Sequence, residues 1–180
     1  MTDHAPLSVL AERLEKAALD KAVSDIEFFE LQKFVFQAAI AALKGKDTVQ
    51  APEANYLVGL IGLTDGDRFK IPAQNVLIHL NTAYQLGHAG AGIHLYRAHK
   101  GVYPFIPETM RSQSKGVLLL EKLAKTNYPH ALYELAQHYL DLIDGYVQNE
   151  DEAPEEHYHQ AYGYAKDAME AGYSGGFLLV

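Results

Sequence analysis

The residues closest to a metal-ligand set in this sequence are His157 and His159, beside Glu155 and Glu156. Two residues apart on a helix, the imidazoles point to different faces, whereas a helical zinc pair sits at i, i+4. A metal- or small-ligand-dependent enzyme or sensor centred on Glu155, His157 and His159 is therefore the alternative reading, not the leading one. The acidic run from Asp144 to Glu156 offers carboxylate oxygens to a basic partner or a divalent cation. It lacks the ligand spacing and the glycine of an EF-hand. Zero Cys removes disulfides, thiolate catalysis and iron–sulfur ligation. No Ser or Thr sits in a nucleophile-elbow setting. The run Gly87-His88-Ala89-Gly90-Ala91-Gly92 follows a helix rather than a strand, so its glycines fit close helix packing better than phosphate binding. His79 occupies a repeat position held elsewhere by Leu119 and Tyr164 and is expected as a buried, hydrogen-bonded histidine. His94 and His99, near Tyr96, are expected at the surface.

Tyrosine carries the stronger signal. Ten of the 12 tyrosines lie at or beyond Tyr96, and Trp is absent. Tyr combines large contact area with few rotamers and a polar tip, which suits a recognition surface. Tyr103 and Phe105, flanked by Pro104 and Pro107, form a stiff aromatic loop expected on the same edge as the acidic run. Tyr133 and Gln137, one turn apart, are placed to lie beside Arg97. The partner-binding set expected from sequence is Tyr96, Arg97, Tyr103, Phe105, Tyr133, Gln137, Tyr146, Glu150, Asp151 and Glu152.

These residues are positioned by an internal repeat. Ala83-Tyr84-Gln85-Leu86-Gly87-His88-Ala89-Gly90-Ala91 recurs as Leu123 to Ala131 and again as Ala168 to Gly176. Gly87, Asn127 and Gly172 sit where a helix ends in a left-handed residue, which Gly and Asn enter at least cost. Small residues open helical patterns at Ala54, Ala91, Ala131 and Gly176, spaced 37, 40 and 45 residues apart. Val58, Leu95, Leu135 and Val180 follow four residues on, on the same face. Each first helix is expected to end near Gly66, Gly101 or Gly145, and a second to begin after Pro72, Pro107 or Pro154. The inner faces of those second helices read Val76, His79 and Ala83; Gly116, Leu119 and Leu123; Ala161, Tyr164 and Ala168. Upstream, Leu7, Leu10, Leu14 and Ala18 make an apolar stripe. Ser24-Asp25-Ile26-Glu27 is a capping box, with Val23 and Phe28 placed as a staple, opening a helix to Leu43. Its aromatic density, including Phe34, predicts burial on two sides. Gly45 to Pro52 reads as a linker, and no alternating strand pattern persists anywhere.

At these junctions the sequence resembles the Sel1-like repeat family, relatives of the tetratricopeptide repeats. The matching segments are Ala54-x3-Val58-Gly59, Ala131-x3-Leu135-Ala136-x2-Tyr139 and Leu123-Ala124-Lys125-Thr126-Asn127. Only the third unit keeps the family's Tyr, at Tyr139; Gly62 and His99 stand there in the others, and Gly116 replaces an Ala. The resemblance covers about residues 53–180. It implies an all-α fold, a right-handed α-solenoid of helix–loop–helix repeats, that binds a partner protein on a concave groove and loop edge, with no catalytic residue and no cofactor. Residues 1–52 would form a two-helix cap with its linker, continuous with three repeats and the start of a fourth. Neutralising one partner, as an immunity protein does a toxin, and scaffolding are both compatible subtypes.

Composition agrees with a folded chain: 180 residues, 48% hydrophobic and 21% charged. The net charge of −8 argues against nucleic acid as a partner, since phosphate contacts need clustered Lys and Arg. No leader-like segment and no membrane span is apparent, so a cytoplasmic protein with no membrane partner is expected. Charge is unevenly placed, net +5 over residues 66–125 and −8 over 126–165, where no Lys or Arg occurs. Opposite patches of this kind restrict the choice of partner. The apolar tail Gly176-Phe177-Leu178-Leu179-Val180 is expected to fold back or to pair with a second copy as a homodimer.

Overall fold

In a computed structural model of the chain, residues 6–20 and 22–173 are described. Among them every regular element is helical: α1 (Leu7–Leu19), α2 (Asp25–Lys44), α3 (Ala51–Phe69), α4 (Ala73–Gln85), α5 (Ala89–Lys100), α6 (Gln113–Ala124), α7 (Pro129–Gln148) and α8 (Glu155–Glu170). A 3-10 turn at Glu108–Met110 lies between α5 and α6. The helices group into two compact units, one extending to Leu95 and taking in Tyr103–Thr109, the other comprising Tyr96–Val102 and the chain from Met110 onward. No described helix is long and apolar enough to cross a membrane.

In the first unit α1, α2 and α3 share one core, in which Leu7, Leu10, Leu14, Val35, Ala39, Leu57 and Ile61 are buried together. Ala11, rather than the exposed Ala18, completes the buried stripe of α1. The capping box at Ser24 and Glu27 is formed, with the Glu27 amide donating to Ser24 Oγ. Phe34 stays half exposed, so α2 buries less of its aromatic surface than its composition predicts. α3 packs on α4 through two glycines: a Cβ on Gly59 would lie 2.6 Å from Leu80 Cδ2, and one on Gly62 would meet Val76. α3 kinks at Asp65, whose φ of −147° and ψ of 35° break the helix just ahead of Gly66. The second unit is built from α6 on α7 and α7 on α8, with Ile143, Ala153 and Ala161 forming a small core against Tyr139, Leu140 and Tyr146.

The seven described residues with a positive φ all close helices in the same way. At Gly87, Asn127 and Gly172 the amide donates to the carbonyl three residues back. The next residue, His88, Tyr128 or Tyr173, donates to Ala83, Leu123 or Ala168, five residues back. This paired bond satisfies two carbonyls that a helix end would otherwise leave open. Lys46 makes the same pair, with Asp47 N–H on Ala42 O at 3.2 Å and its own N–H on Leu43 O at 3.3 Å. Closures of this type into α3, into α5, into α7 and after α8 are thus 41, 40 and 45 residues apart. Lys70, Gly101 and Glu150 repeat the bond pair at the ends of α3, α5 and α7.

Several expected boundaries move. Gly145 lies inside α7, which continues to Gln148, and Pro52 lies inside α3 rather than in a linker. Pro107 precedes the 3-10 turn, and α6 begins only at Gln113. The second helices bury Leu80, Leu120 and Ala165 more fully than His79, Leu119 and Tyr164, because i, i+4, i+7 centres the stripe one residue later. The expected fourth-repeat start at Gly176 to Val180, and with it the proposed homodimer contact, lies outside the described residues.

Candidate functional site

Within the first unit, the aromatic loop is anchored from below by a chain of polar rings. Tyr103 Oη lies 2.7 Å from His94 Nδ1, and the Tyr103 and Phe105 rings are 6.4 Å apart. His94 in turn neighbours Tyr56, which stacks on His88 at 3.9 Å and donates its hydroxyl to Glu15 at 2.9 Å. His88 Nε2 faces Glu53 at 3.3 Å. Helix α3 supplies Tyr56 and Glu53, α5 supplies His94, and α1 supplies Glu15. Tyr103 is half buried on this platform, while Phe105 remains 43% exposed. Phe105 also closes one wall of a pocket of about 260 Å³ at the α3 kink and the α3–α4 turn, with Thr64, Asp65, Ile71 and Pro72. His79 is hydrogen-bonded as expected but only half buried: Nδ1 is 2.9 Å from Asn55 Oδ1, and the Asn55 amide nitrogen donates to Ala51 O. The oxygen left to His79 is an acceptor, so Nδ1 carries the proton, and burial holds the ring below its ordinary pKa.

Within the second unit, two members of the expected binding set prove structural. Tyr96 is 1% exposed, a core residue against Gly116 rather than a surface contact. Four of five residues from Ala91 to Leu95 are themselves buried, so α5 has too little polar face to leave Tyr96 outside. Burial raises its hydroxyl above the ordinary range, opposed by the charge of Lys100. Arg97 is held by Glu134, with Nε donating to Oε1 at 2.8 Å and a second, shorter bond from Nη2. Glu134 is 7% exposed, a carboxylate on the buried stripe of α7 between Ala131 and Leu135. Lys100 pairs with Asp141. Burial by itself would lower this amine; the Asp141 hydrogen bond and nearby Tyr96 outweigh it and hold Lys100 above its usual value. Part of the basic segment is therefore spent on part of the acidic one inside the unit. Tyr133 packs on Tyr173 at 4.6 Å, and both Tyr133 and Gln137 are half buried.

The acidic run also differs from expectation. Its first five residues, Asp144 to Gln148, are the last turn of α7, and Glu155 and Glu156 open α8, leaving a short connection at 149–154. Segment 101–112, between α5 and α6, is a longer connection. Tyr146 is accordingly a half-buried helix residue whose ring lies 5.8 Å from His157. Glu150, Asp151 and Glu152 are exposed as expected. His157 is half buried against Tyr139 and Tyr146, whereas His159 is exposed and pairs with Glu155 at 3.4 Å, so the two imidazoles diverge. Among the described residues no group of three or more His, Asp or Glu is placed to hold a metal ion.

Sequence reasoning missed Glu134, Tyr56 and the exposed Tyr158 and Tyr162. Glu134 had one available signal, an acid within an otherwise apolar stripe of a sequence segment with no base of its own. Comparisons of the chain with protein families, curated proteins and solved structures give no match.

Proposed function

We propose that this chain is a non-enzymatic protein-binding module, a right-handed α-solenoid of Sel1-like hairpins that takes a partner protein along its groove and loop edge. One observation carries this reading: the same paired-bond closure recurs at Lys46, Gly87, Asn127 and Gly172, at close to one period. A fold that repeats one hairpin unit extends its surface with every copy instead of gathering residues into one pocket, and extended surfaces recognise other macromolecules. On this reading α1 and α2 form a further hairpin of the same series. Each unit offers its own contact residues: Tyr103 and Phe105 in the first; Tyr133, Gln137 and the carboxylates Glu150, Asp151 and Glu152 in the second. Inhibition of a single partner and scaffolding are both open to such a surface.

The test is capture from native-source lysate on the tagged chain at low and high salt, run beside Phe105→Ser and a Glu150→Gln, Asp151→Gln, Glu152→Gln triple variant. A stoichiometric protein retained by the parent and lost by a variant of unchanged melting temperature supports the module. Folded protein that retains nothing stoichiometric at either salt overturns it. Stoichiometric zinc or manganese in the purified chain, lost in His157→Ala, would replace it with the metal-dependent reading.

A further inference from the structure

Helix α8 carries an aromatic face that no described element covers. Tyr158 and Tyr162 are 50% and 60% exposed and lie one turn apart, on a ridge that flanks the buried Ala161, Ala165 and Ala168. Glu155 precedes them on the same stripe at i, i+3 and i+7. At the N-terminal end of that stripe an open pocket of about 500 Å³ is lined by Glu152, Ala153, Pro154, Glu155 and Tyr158. Glu152 and Glu156 are in no ion pair with another described residue, and Glu155 has only His159, which counts as a cation when protonated. Residues 126–165 contain no Lys or Arg, and Lys166, one turn beyond Tyr162, pairs with Glu170 at 3.8 Å. A tyrosine face attracts cations through its ring quadrupole, and carboxylates at the ring edge add charge of the same preference.

Resting on the protein-binding reading above, we propose that the Tyr158–Tyr162 face of α8 docks an extended, arginine-bearing segment of the partner. Charge complementarity commits the occupant: anionic peptides, nucleic acid and a second copy of this acidic surface are all repelled. Spacing narrows it further. Tyr158 and Tyr162 are about 6 Å apart along the helix axis at the α-helical rise. Alternate side chains of an extended strand are about 7 Å apart. One guanidinium would enter the pocket between Glu152, Glu155 and the Tyr158 ring, and the arginine two residues on would lie over Tyr162. Arginine suits both positions because its planar head stacks on a ring while its N–H groups reach carboxylates.

The probes are labelled dodecapeptides, one alternating arginine and alanine and one with the same composition in Arg-Arg-Ala-Ala order, titrated onto the full chain by fluorescence anisotropy. The alternating peptide binds more tightly, and Tyr158→Ser with Tyr162→Ser weakens it about tenfold, the loss expected for two exposed cation–ring contacts. Glu152→Gln with Glu155→Gln also weakens it and flattens its salt dependence. A control pair, Glu12→Gln with Glu30→Gln, removes equal charge from exposed positions of the first unit and changes binding less than either. All six positions are exposed, and unchanged melting temperatures confirm folding in each variant. Equal binding of the two peptides, or equal losses in the control and the α8 pairs, overturns the site as mere net-charge attraction. No peptide binding at low salt also overturns it. If lysate capture then still returns a stoichiometric partner, the module stands and only this docking face falls.

Discussion

Replacing Gly59 by Ala tests the α3–α4 packing of the first unit, because the sign of the effect changes with the packing. In a helix with nothing opposite, Gly→Ala stabilises by about 0.5–1 kcal/mol through backbone entropy. At Gly59 the new Cβ would stand 2.6 Å from Leu80 Cδ2 and 2.7 Å from Leu80 Cγ. Carbon atoms prefer separations of about 3.5–4.0 Å, so Leu80 must retreat by about 1 Å. It has no room to do so, being 0% exposed in the α3–α4 interface. Overpacking of that kind costs about 2–3 kcal/mol, and subtracting the propensity gain leaves a net loss of about 1–2 kcal/mol. For a chain of this size that lowers the melting temperature by about 3–6 °C. Gly145, inside α7 with nothing within 4 Å of a built Cβ, is the matched control, and Gly145→Ala raises it. Thermal melts followed by circular dichroism measure both. In a Leu80→Ala background the clash partner is gone, and Gly59→Ala becomes stabilising. A Gly59→Ala protein that melts above the parent would refute the close approach of α3 and α4.

Arg97→Ala destabilises the second unit by about 1–3 kcal/mol, the partial exposure of Arg97 reducing the cost of leaving Glu134 unpaired. Double-variant cycles with Glu134→Gln in urea should return a favourable coupling, and additive losses would count against the pair. Lys46→Gly gains about 1 kcal/mol, since a lysine at φ 55° carries a Cβ strain that glycine lacks; a lower urea midpoint would contradict the helix closure assigned there. Stability falls as pH is lowered. Burial depresses the folded-state pKa of His79, His99, His130 and His138 below the ordinary 6.5, with Lys115 and Arg97 adding to the effect at His99 and His130, and Lys100 at His138. The unfolded chain therefore binds protons first. The contribution is complete above pH about 6.5 and is lost as the pH falls from there towards the depressed folded values. Melting temperatures from pH 7.5 to 5 should decline, less steeply in His79→Gln; a flat profile would show that these rings are not held neutral.

Most of the helical plan could be read without coordinates, and the reason differs by position. The left-handed closures at Gly87, Asn127 and Gly172 were legible because those residue types tolerate positive φ, and the capping box at Ser24 because its spacing is local. Lys46, Lys70 and Glu150 adopt the same backbone without any such residue, so the closures at Lys46 and Lys70 and the extension of α7 past Gly145 were not legible. Of the candidate surface, the carboxylates at Glu150 to Glu152 are exposed and the aromatic loop is partly exposed, as a contact surface requires. Tyr96, Arg97 and Tyr146 did not match their sequence reading, since each is drawn inward by residues tens of positions away or by an adjoining helix.

What the sequence determined by itself is therefore the local part: helical periodicity, caps, the recurrence of hairpin junctions and the separation of charge along the chain. These depend on neighbours within about five residues, whose chemistry is written contiguously. The tertiary structure alone decided that Arg97 closes on Glu134, 37 positions away, that Tyr103 rests on His94, and that Tyr158 and Tyr162 remain uncovered. Burial and ion pairing are set by which faces meet across the fold, and a face at helical spacing looks the same in sequence whether it meets a neighbour or water.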